Sequence, residues 1–283
     1  MKYTLLREEL KRYYWYEADK KADDFAVKCF KILDNSDFKK MNPYQMKIFQ
    51  YKTITDMFEP VIFDNSPFYF ETGTMCATCD GSAFWDKTKS AKNAPENSDH
   101  IHPGGWTYEK NKHRFVDQDP ELWEKPDSFY GALNFLAFFR KAVGSLEGIG
   151  PSTFGRVDVD LYPFYKHDIE NGVITEAEAY ELICKFLLSF DCIYDHDKKM
   201  VGYADHEFEN TYVLGGCDKE GKPVFNELTK LFLLAAENEK IIFPKIICRF
   251  SKNSPKEYLD LIDRSVINGT SVILYQNDDA VIP

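Results

Sequence analysis

The pattern of apolar and polar positions divides the chain into an irregular first part and a regular second part. Leucine and tyrosine near the N-terminus recur at helical spacing, which predicts a helix containing Leu5, Leu6, Leu10, Tyr13 and Tyr14. Residues 70–114 are rich in Gly, Pro, Asn and Asp, which indicates an irregular loop region. Residues typical of helix starts and stops recur at regular intervals after the prolines at 120–126. We therefore predict a helical and loop-rich region at 1–125 and a second unit at 126–283.

Capping residues predict three helices in the second unit. An N-cap at 127–128 precedes an apolar run that predicts a buried helix ending at Gly144. Thr175 and Glu178 have the spacing of a capping box, which places the start of a second helix there. Asn226 precedes another apolar run and predicts the start of a third helix.

The end of the chain predicts a strand, a helix and a second strand. Residues 246–250 form a β-branched run, and 271–275 form another. Between them, Ser254 is the expected N-cap, Glu257 the expected capping-box glutamate, and Gly269 the expected stop. Strands joined in this way pair in parallel, which predicts an α/β fold. Ligands of such sheets gather at the carboxyl ends of the strands.

Composition and charge exclude several classes of protein. The 283 residues carry 46 acidic and 35 basic side chains, a net charge of −11, which argues against a nucleic-acid partner. The most apolar stretch, 129–139, is far shorter than the roughly 20 residues of a membrane span, which argues against a membrane protein. Residues 1–16 lack the apolar core of a signal peptide, and the seven cysteines are scattered and odd in number. We therefore expect a cytoplasmic protein.

Four stretches of the second unit also carry a family resemblance. They are residues 145–156 with the Leu-Tyr-Pro-Phe-Tyr run that follows, residues 212–221, residues 249–255, and residues 277–279. Their content and order resemble the pyruvate formate-lyase-like glycyl radical enzymes. The resemblance covers roughly 129–283, whereas the first 125 residues are only loosely similar to the family's helical N-terminal region.

The resemblance implies a fold and a chemistry. The family fold is a ten-stranded α/β barrel made of two five-stranded half-barrels, with a cysteine loop and a glycine loop inside. A radical-SAM iron–sulfur activating enzyme installs a glycyl radical, which generates a thiyl radical that attacks a small-molecule substrate. Burial shields such radicals from solvent.

This chain departs from the family where the radical residues are concerned. It stops before the positions of the radical cysteine and the radical glycine, and none of its seven cysteines takes the matching place. We therefore expect an incomplete barrel, a parallel half-barrel with surrounding helices. It would be the N-terminal portion of a lyase or dehydratase, inactive alone, with no cofactor or metal bound by this chain.

The resemblance places six residues at the substrate pocket: Gly150, Pro151, Ser152, Phe250, Asn277 and Asp278. Gly150 and Pro151 offer no side-chain hydrogen bond, which disfavours recognition of a diol through this pair. Other interpretations stay open, because Phe250 fits simple core packing and the aspartates at 278–279 fit a turn. Arg156 is expected to pair with a buried carboxylate rather than to bind substrate.

Three hypotheses follow for the chain as a whole. It is the N-terminal part of a glycyl radical enzyme, or a subunit of a split enzyme whose partner chain supplies the other half-barrel, or a non-catalytic remnant that binds a partner. A homodimer is also open. The remnant hypothesis predicts that the chain's own N-terminal helices cover the strand edge after Tyr275.

A structural zinc site is an alternative function for the loop region. Cys76 and Cys79 followed by His100 and His102 supply four ligands that zinc accepts, although the one-residue gap between the histidines is shorter than usual.

Overall fold

The structure is a computed structural model. It describes residues 2–17, 24, 27–28, 31–32, 37–57, 59, 61–68, 126–147, 152–192, 210–270 and 272–281.

A four-stranded parallel sheet organises the second unit. Its strands are β1 (Ser152–Arg156), β2 (Asn210–Gly215), β3 (Lys245–Phe250) and β4 (Ile273–Asn277), and they lie side by side in chain order. Every neighbouring pair is parallel. The expected α/β class and the parallel strand–helix–strand unit are therefore confirmed.

Nine α-helices have both ends among the described residues. In order, they are α1 (Thr4–Arg12), α2 (Pro43–Asp56), α3 (Phe129–Glu147), α4 (Val157–Asp160), α5 (Tyr162–Glu170), α6 (Glu176–Asp191), α7 (Glu227–Glu239), α8 (Lys256–Ile267) and α9 (Asp278–Val281). A π-helical turn at Tyr13–Glu17 follows α1, and a 3-10 turn at Phe38–Lys40 precedes α2. In these ranges no helix is both long enough and apolar enough to span a membrane.

Three predicted caps are confirmed and two predicted boundaries are wrong. The Ser128, Thr175 and Asn226 side chains each accept a hydrogen bond from the N–H three residues on. In contrast, α3 continues past Gly144, because a single glycine costs a buried helix only about 1 kcal/mol. Ser254 does not cap α8: its hydroxyl accepts from the N–H of Ser251, and Pro255 holds the N-cap position.

Another correction concerns the last strand. β4 begins two residues later than predicted and leads directly into α9, a single helical turn that contains the aspartates at 278–279. The Asn277 side chain accepts a hydrogen bond from the N–H of Asp279 (3.0 Å), which fixes this change of direction.

The sheet has one covered face and one open face in the part of the chain that the structure describes. Helices α6, α7 and α8 pack beside one another on the covered face. Their core includes Phe154, Tyr212, Leu214, Ile246, Cys248 and Ile273. Val213, Ile247 and Leu274 alternate with these residues, form one row across the sheet and are only partly buried or exposed. Parallel sheets are normally covered on both faces.

The N-terminal helix joins the core of the second unit. Leu6 and Leu10 of α1 belong to the same buried cluster as the sheet and its helices, and α1 packs against α6. The domain boundary at residue 125 stays a prediction.

Candidate functional site

The carboxyl edge of the sheet is built around a turn that only glycine can form. This Gly-Gly-Cys turn consists of Gly215, Gly216 and Cys217, and its two glycines have φ of 71° and 81°. A Cβ on Gly215 would overlap the hydroxyl of Tyr258, and one on Gly216 would lie 2.8 Å from a carboxylate oxygen of Asp278. Both positions therefore require glycine for backbone and for steric reasons.

All backbone polar groups of the Gly-Gly-Cys turn are paired. Its three N–H groups donate in order to Asp158 Oδ2 (2.7 Å), to the carbonyl of Arg249 (2.8 Å) and to Asp278 Oδ2 (3.2 Å). Its first and third carbonyls accept from Arg156 Nη2 (2.7 Å) and Nη1 (2.9 Å), and its middle carbonyl accepts from the N–H of Val224 (2.8 Å). The turn thereby links the carboxyl ends of all four strands.

Asp158 is a fully buried carboxylate beneath this turn. Its Oδ2 also accepts from the hydroxyl of Thr229 (2.8 Å), while its Oδ1 has no partner among the described residues. Burial raises the pKa of Asp158 to about 6, and the hydrogen bonds from Gly215 and Thr229 and the charge of Arg156 oppose that shift. Asp158 was not singled out from the sequence, because its partners lie far away along the chain.

Arg249 and Asp278 form an ion pair at the same edge. Arg249 Nε donates to Asp278 Oδ1 at 2.8 Å, and the two side chains are 17% and 2% exposed. Asp279 instead accepts from the exposed N–H of Lys252 (2.6 Å). Asp278 is therefore a buried ionic partner, whereas the Asp279 carboxylate bonds to the backbone after β3, 27 positions away along the chain.

Arg156 is held by backbone oxygens. Its partners are the two carbonyls of the Gly-Gly-Cys turn rather than the buried carboxylate that was expected, and its Nε is buried without a partner among the described residues.

The six predicted pocket residues are only partly brought together. Phe250 and Asn277 are register partners at the ends of β3 and β4, and Asp278 follows directly. The Phe250 ring packs edge-on against Tyr275 and touches the core, so the core-packing contact exists. Ser152 opens β1, but its side chain lies outside the described residues, as do Gly150 and Pro151. A substrate role for these six residues stays a prediction.

The predicted alternative metal site at Cys76, Cys79, His100 and His102 lies outside the described residues. Within the described ranges, no cluster of His, Cys, Asp and Glu has the arrangement of a metal site. Cys184, Cys192, Cys217 and Cys248 form no disulfide bond.

Comparisons with known proteins identify relatives of the second unit. A family model described as pyruvate formate lyase-like matches residues 119–283. Isethionate sulfite-lyase of Nitratidesulfovibrio vulgaris is 29% identical over 142 residues, which cover 46% of this chain and 16% of that protein. The glycyl radical subunit of 4-hydroxyphenylacetate decarboxylase from Clostridioides difficile is 28% identical over 138 residues, which cover 48% of this chain and 15% of that protein. The chain thus spans a small part of the length of these relatives.

Solved structures give the same family fold. A glycyl radical enzyme from Archaeoglobus fulgidus matches with a TM-score of 0.52 and 17% identity over 98% of this chain and 32% of that one. The glycerol-bound B12-independent glycerol dehydratase from Clostridium butyricum has the same TM-score and identity over 97% of this chain and 31% of that one. The expected partial glycyl-radical-enzyme barrel is therefore confirmed. Since the family model covers more than half of the sequence, the chain belongs to the pyruvate formate lyase-like family.

Proposed function

We propose that this chain forms the N-terminal portion of a glycyl radical lyase or dehydratase that cleaves a C–C or C–X bond of a small anaerobic metabolite. The family match over residues 119–283 carries this proposal. The Gly-Gly-Cys turn and its charged partners supply a rigid wall at the edge of the sheet where α/β proteins bind ligands. On this proposal the chain's own residues bind and orient substrate, and a radical glycine and cysteine beyond them supply the chemistry.

The open face and the β4 edge favour completion by further polypeptide. Leu274 and Tyr275 in this edge strand are 47% and 51% exposed, although parallel sheets are normally buried. This exposure counts against the remnant hypothesis, which requires the N-terminal helices to cover the β4 edge. A downstream segment of the same protein or a separate subunit would complete the barrel equally well.

The substrate wall is proposed to contain Gly150, Pro151, Ser152, Phe250, Asn277 and Asp278. The register pairing of Phe250 with Asn277 supports this for the β3 and β4 ends. We further propose that a radical-SAM activating enzyme is the catalytic partner and that the complex works in the reducing cytoplasm, in keeping with the lack of disulfide bonds among the described residues.

Reconstitution tests the proposed function. The chain, the polypeptide encoded directly downstream or as a partner, and the activating enzyme are combined anaerobically. We expect a glycyl radical signal by electron paramagnetic resonance and substrate cleavage, both absent with the chain alone or when the radical glycine is replaced by alanine. A natural locus that encodes neither the radical cysteine loop nor the radical glycine loop of the family would contradict the proposal.

A further inference from the structure

In the Arg249 guanidinium, one nitrogen donates a hydrogen bond within the chain and the other two do not. Its Nε donates to the buried carboxylate of Asp278 at 2.8 Å, whereas its Nη1 and Nη2 make no hydrogen bond to any described residue. Arg156, the other arginine at this edge, differs because both of its Nη groups are already bound to carbonyls. Arg249 therefore carries the unused donors at the carboxyl edge.

Arg249 lies at the end of β3, on the side of the sheet that the described helices leave open. It lies in one register row with Gly215 of β2 and Gln276 of β4, on the open face of the sheet. The backbone of Gly216 lies close to the arginine, because a Cβ there would be 3.0 Å from Arg249 Cβ and 3.1 Å from Nε.

The chemistry of this arrangement suits an oxyanion. A guanidinium held at Nε presents its Nη groups in a fixed fork that matches the two oxygens of a carboxylate or sulfonate. Its side chain is only 17% exposed, so hydrogen bonds to a bound anion are screened less than at a free surface. The charge of Asp278 offsets part of the attraction, which limits the affinity of this single fork.

We propose that Arg249 binds the carboxylate or sulfonate group of a small-molecule substrate through its Nη groups, with Asp278 acting as the positioning residue. Calling this ligand a substrate rests on the proposed function. The anion site itself does not, since it requires only contacts within this chain.

Nuclear magnetic resonance of ¹⁵N-arginine side chains in the full chain tests the site. Acetate and methanesulfonate are the anionic probes, acetamide is a neutral probe of similar size, and sodium chloride controls for ionic strength. We expect saturable shifts of the Arg249 resonances with both anions at millimolar concentration, and no saturable shift with acetamide or chloride.

Matched variants separate specific binding from bulk charge. The backbone amide resonances of Gly216 and Gln276, which every variant retains, report the anion affinity in the variants. Arg249→Lys keeps the positive charge but loses the fork, so we expect this affinity to fall at least about tenfold. Arg264→Lys, an exposed position on α8, is the matched control and should leave the affinity unchanged. The double variant Arg249→Gln/Asp278→Asn removes both charges of the pair together and serves where the single substitution unfolds the chain. It should also abolish the saturable shift of the Gly216 and Gln276 amide resonances.

Three results would overturn the anion site: shifts that do not saturate, an equal response to acetamide, or unchanged affinity in the Arg249 variants. Such a failure is distinguishable from failure of the proposed function. A reconstituted enzyme with a glycyl radical but no anion binding at Arg249 would refute only the site, and anion binding without any downstream radical motif would refute only the function.

Discussion

At the scale of single residues, Asp158 combines a structural role with an ionisation that costs stability. It accepts two hydrogen bonds through Oδ2, but its Oδ1 is buried and has no partner among the described residues. Burial raises the pKa of this carboxyl from 3.8 to about 6. Because the folded state then binds the proton more tightly than the unfolded state, the contribution of Asp158 favours folding most below pH 4 and is lost as pH rises to about 6.

This linkage predicts the pH dependence of the Asp158→Asn variant. The difference in free energy of unfolding, wild type minus variant, should fall by about 2 kcal/mol between pH 4 and pH 7. Urea denaturation at both pH values measures it. The matched control is Asp260→Asn at an exposed site on α8, whose difference should change by less than about 1 kcal/mol. A difference for Asp158→Asn that stays constant with pH would contradict the proposed ionisation.

At the scale of elements, sequence signals worked where the interaction is local. The Thr175 and Asn226 caps bond to residues three positions away, so spacing alone predicted them. Ser254 has the same local pattern, but its hydroxyl accepts from Ser251. The Arg249 and Asp278 pair spans 29 positions, and no spacing rule could have found it.

The sequence predicted where the candidate site lies but not the contacts that build it. The strand–helix–strand pattern located the carboxyl edge, and the family motifs named Phe250, Asn277 and Asp278 there. The roles of Gly215 and Asp158 were missed. Two adjacent glycines after a β-branched run were the available signal for the turn, but the need for them comes from Tyr258 and Asp278, which reach it from elements far along the chain.

We expect a side chain at Gly216, in the Gly-Gly-Cys turn, to destabilise the protein more than a side chain at Gly221, which lies outside the turn. Gly221→Ala places a side chain at φ of 77° with nothing within 4 Å, so it should cost only about 1–2 kcal/mol of unfolding free energy. Gly216→Ala adds a clash with buried Asp278 to the same backbone strain and should cost about 3 kcal/mol or more. Urea denaturation of both variants provides the comparison. Equal losses would mean that the turn tolerates a side chain at Gly216.

At the scale of the whole molecule, Arg7 ties the N-terminal helix to the second unit. Its Nη2 donates to the carbonyl (2.6 Å) and carboxylate (3.1 Å) of Glu239 at the end of α7. Its Nη1 lies 3.8 Å from Asp191 Oδ2 at the end of α6. Asp191 in turn accepts from the N–H groups of Ile242 (2.7 Å) and Phe243 (3.1 Å), which lead into β3. The side chains of Arg7, Asp191 and Glu239 are all at most 13% exposed.

Removing the Arg7 side chain should therefore destabilise the second unit as well as α1. Arg7→Ala leaves two largely buried carboxylates without their cation, so we expect a loss of about 3–5 kcal/mol in unfolding free energy, of which Arg7→Lys should recover part. The matched control Arg12→Ala removes an ion pair whose arginine is 71% exposed and should cost less than about 1 kcal/mol. Urea denaturation measures these losses, and hydrogen exchange locates them. Faster exchange in both α1 and β3 is expected from the shared core, whereas an effect confined to α1 would mean that the regions before and after residue 125 unfold independently.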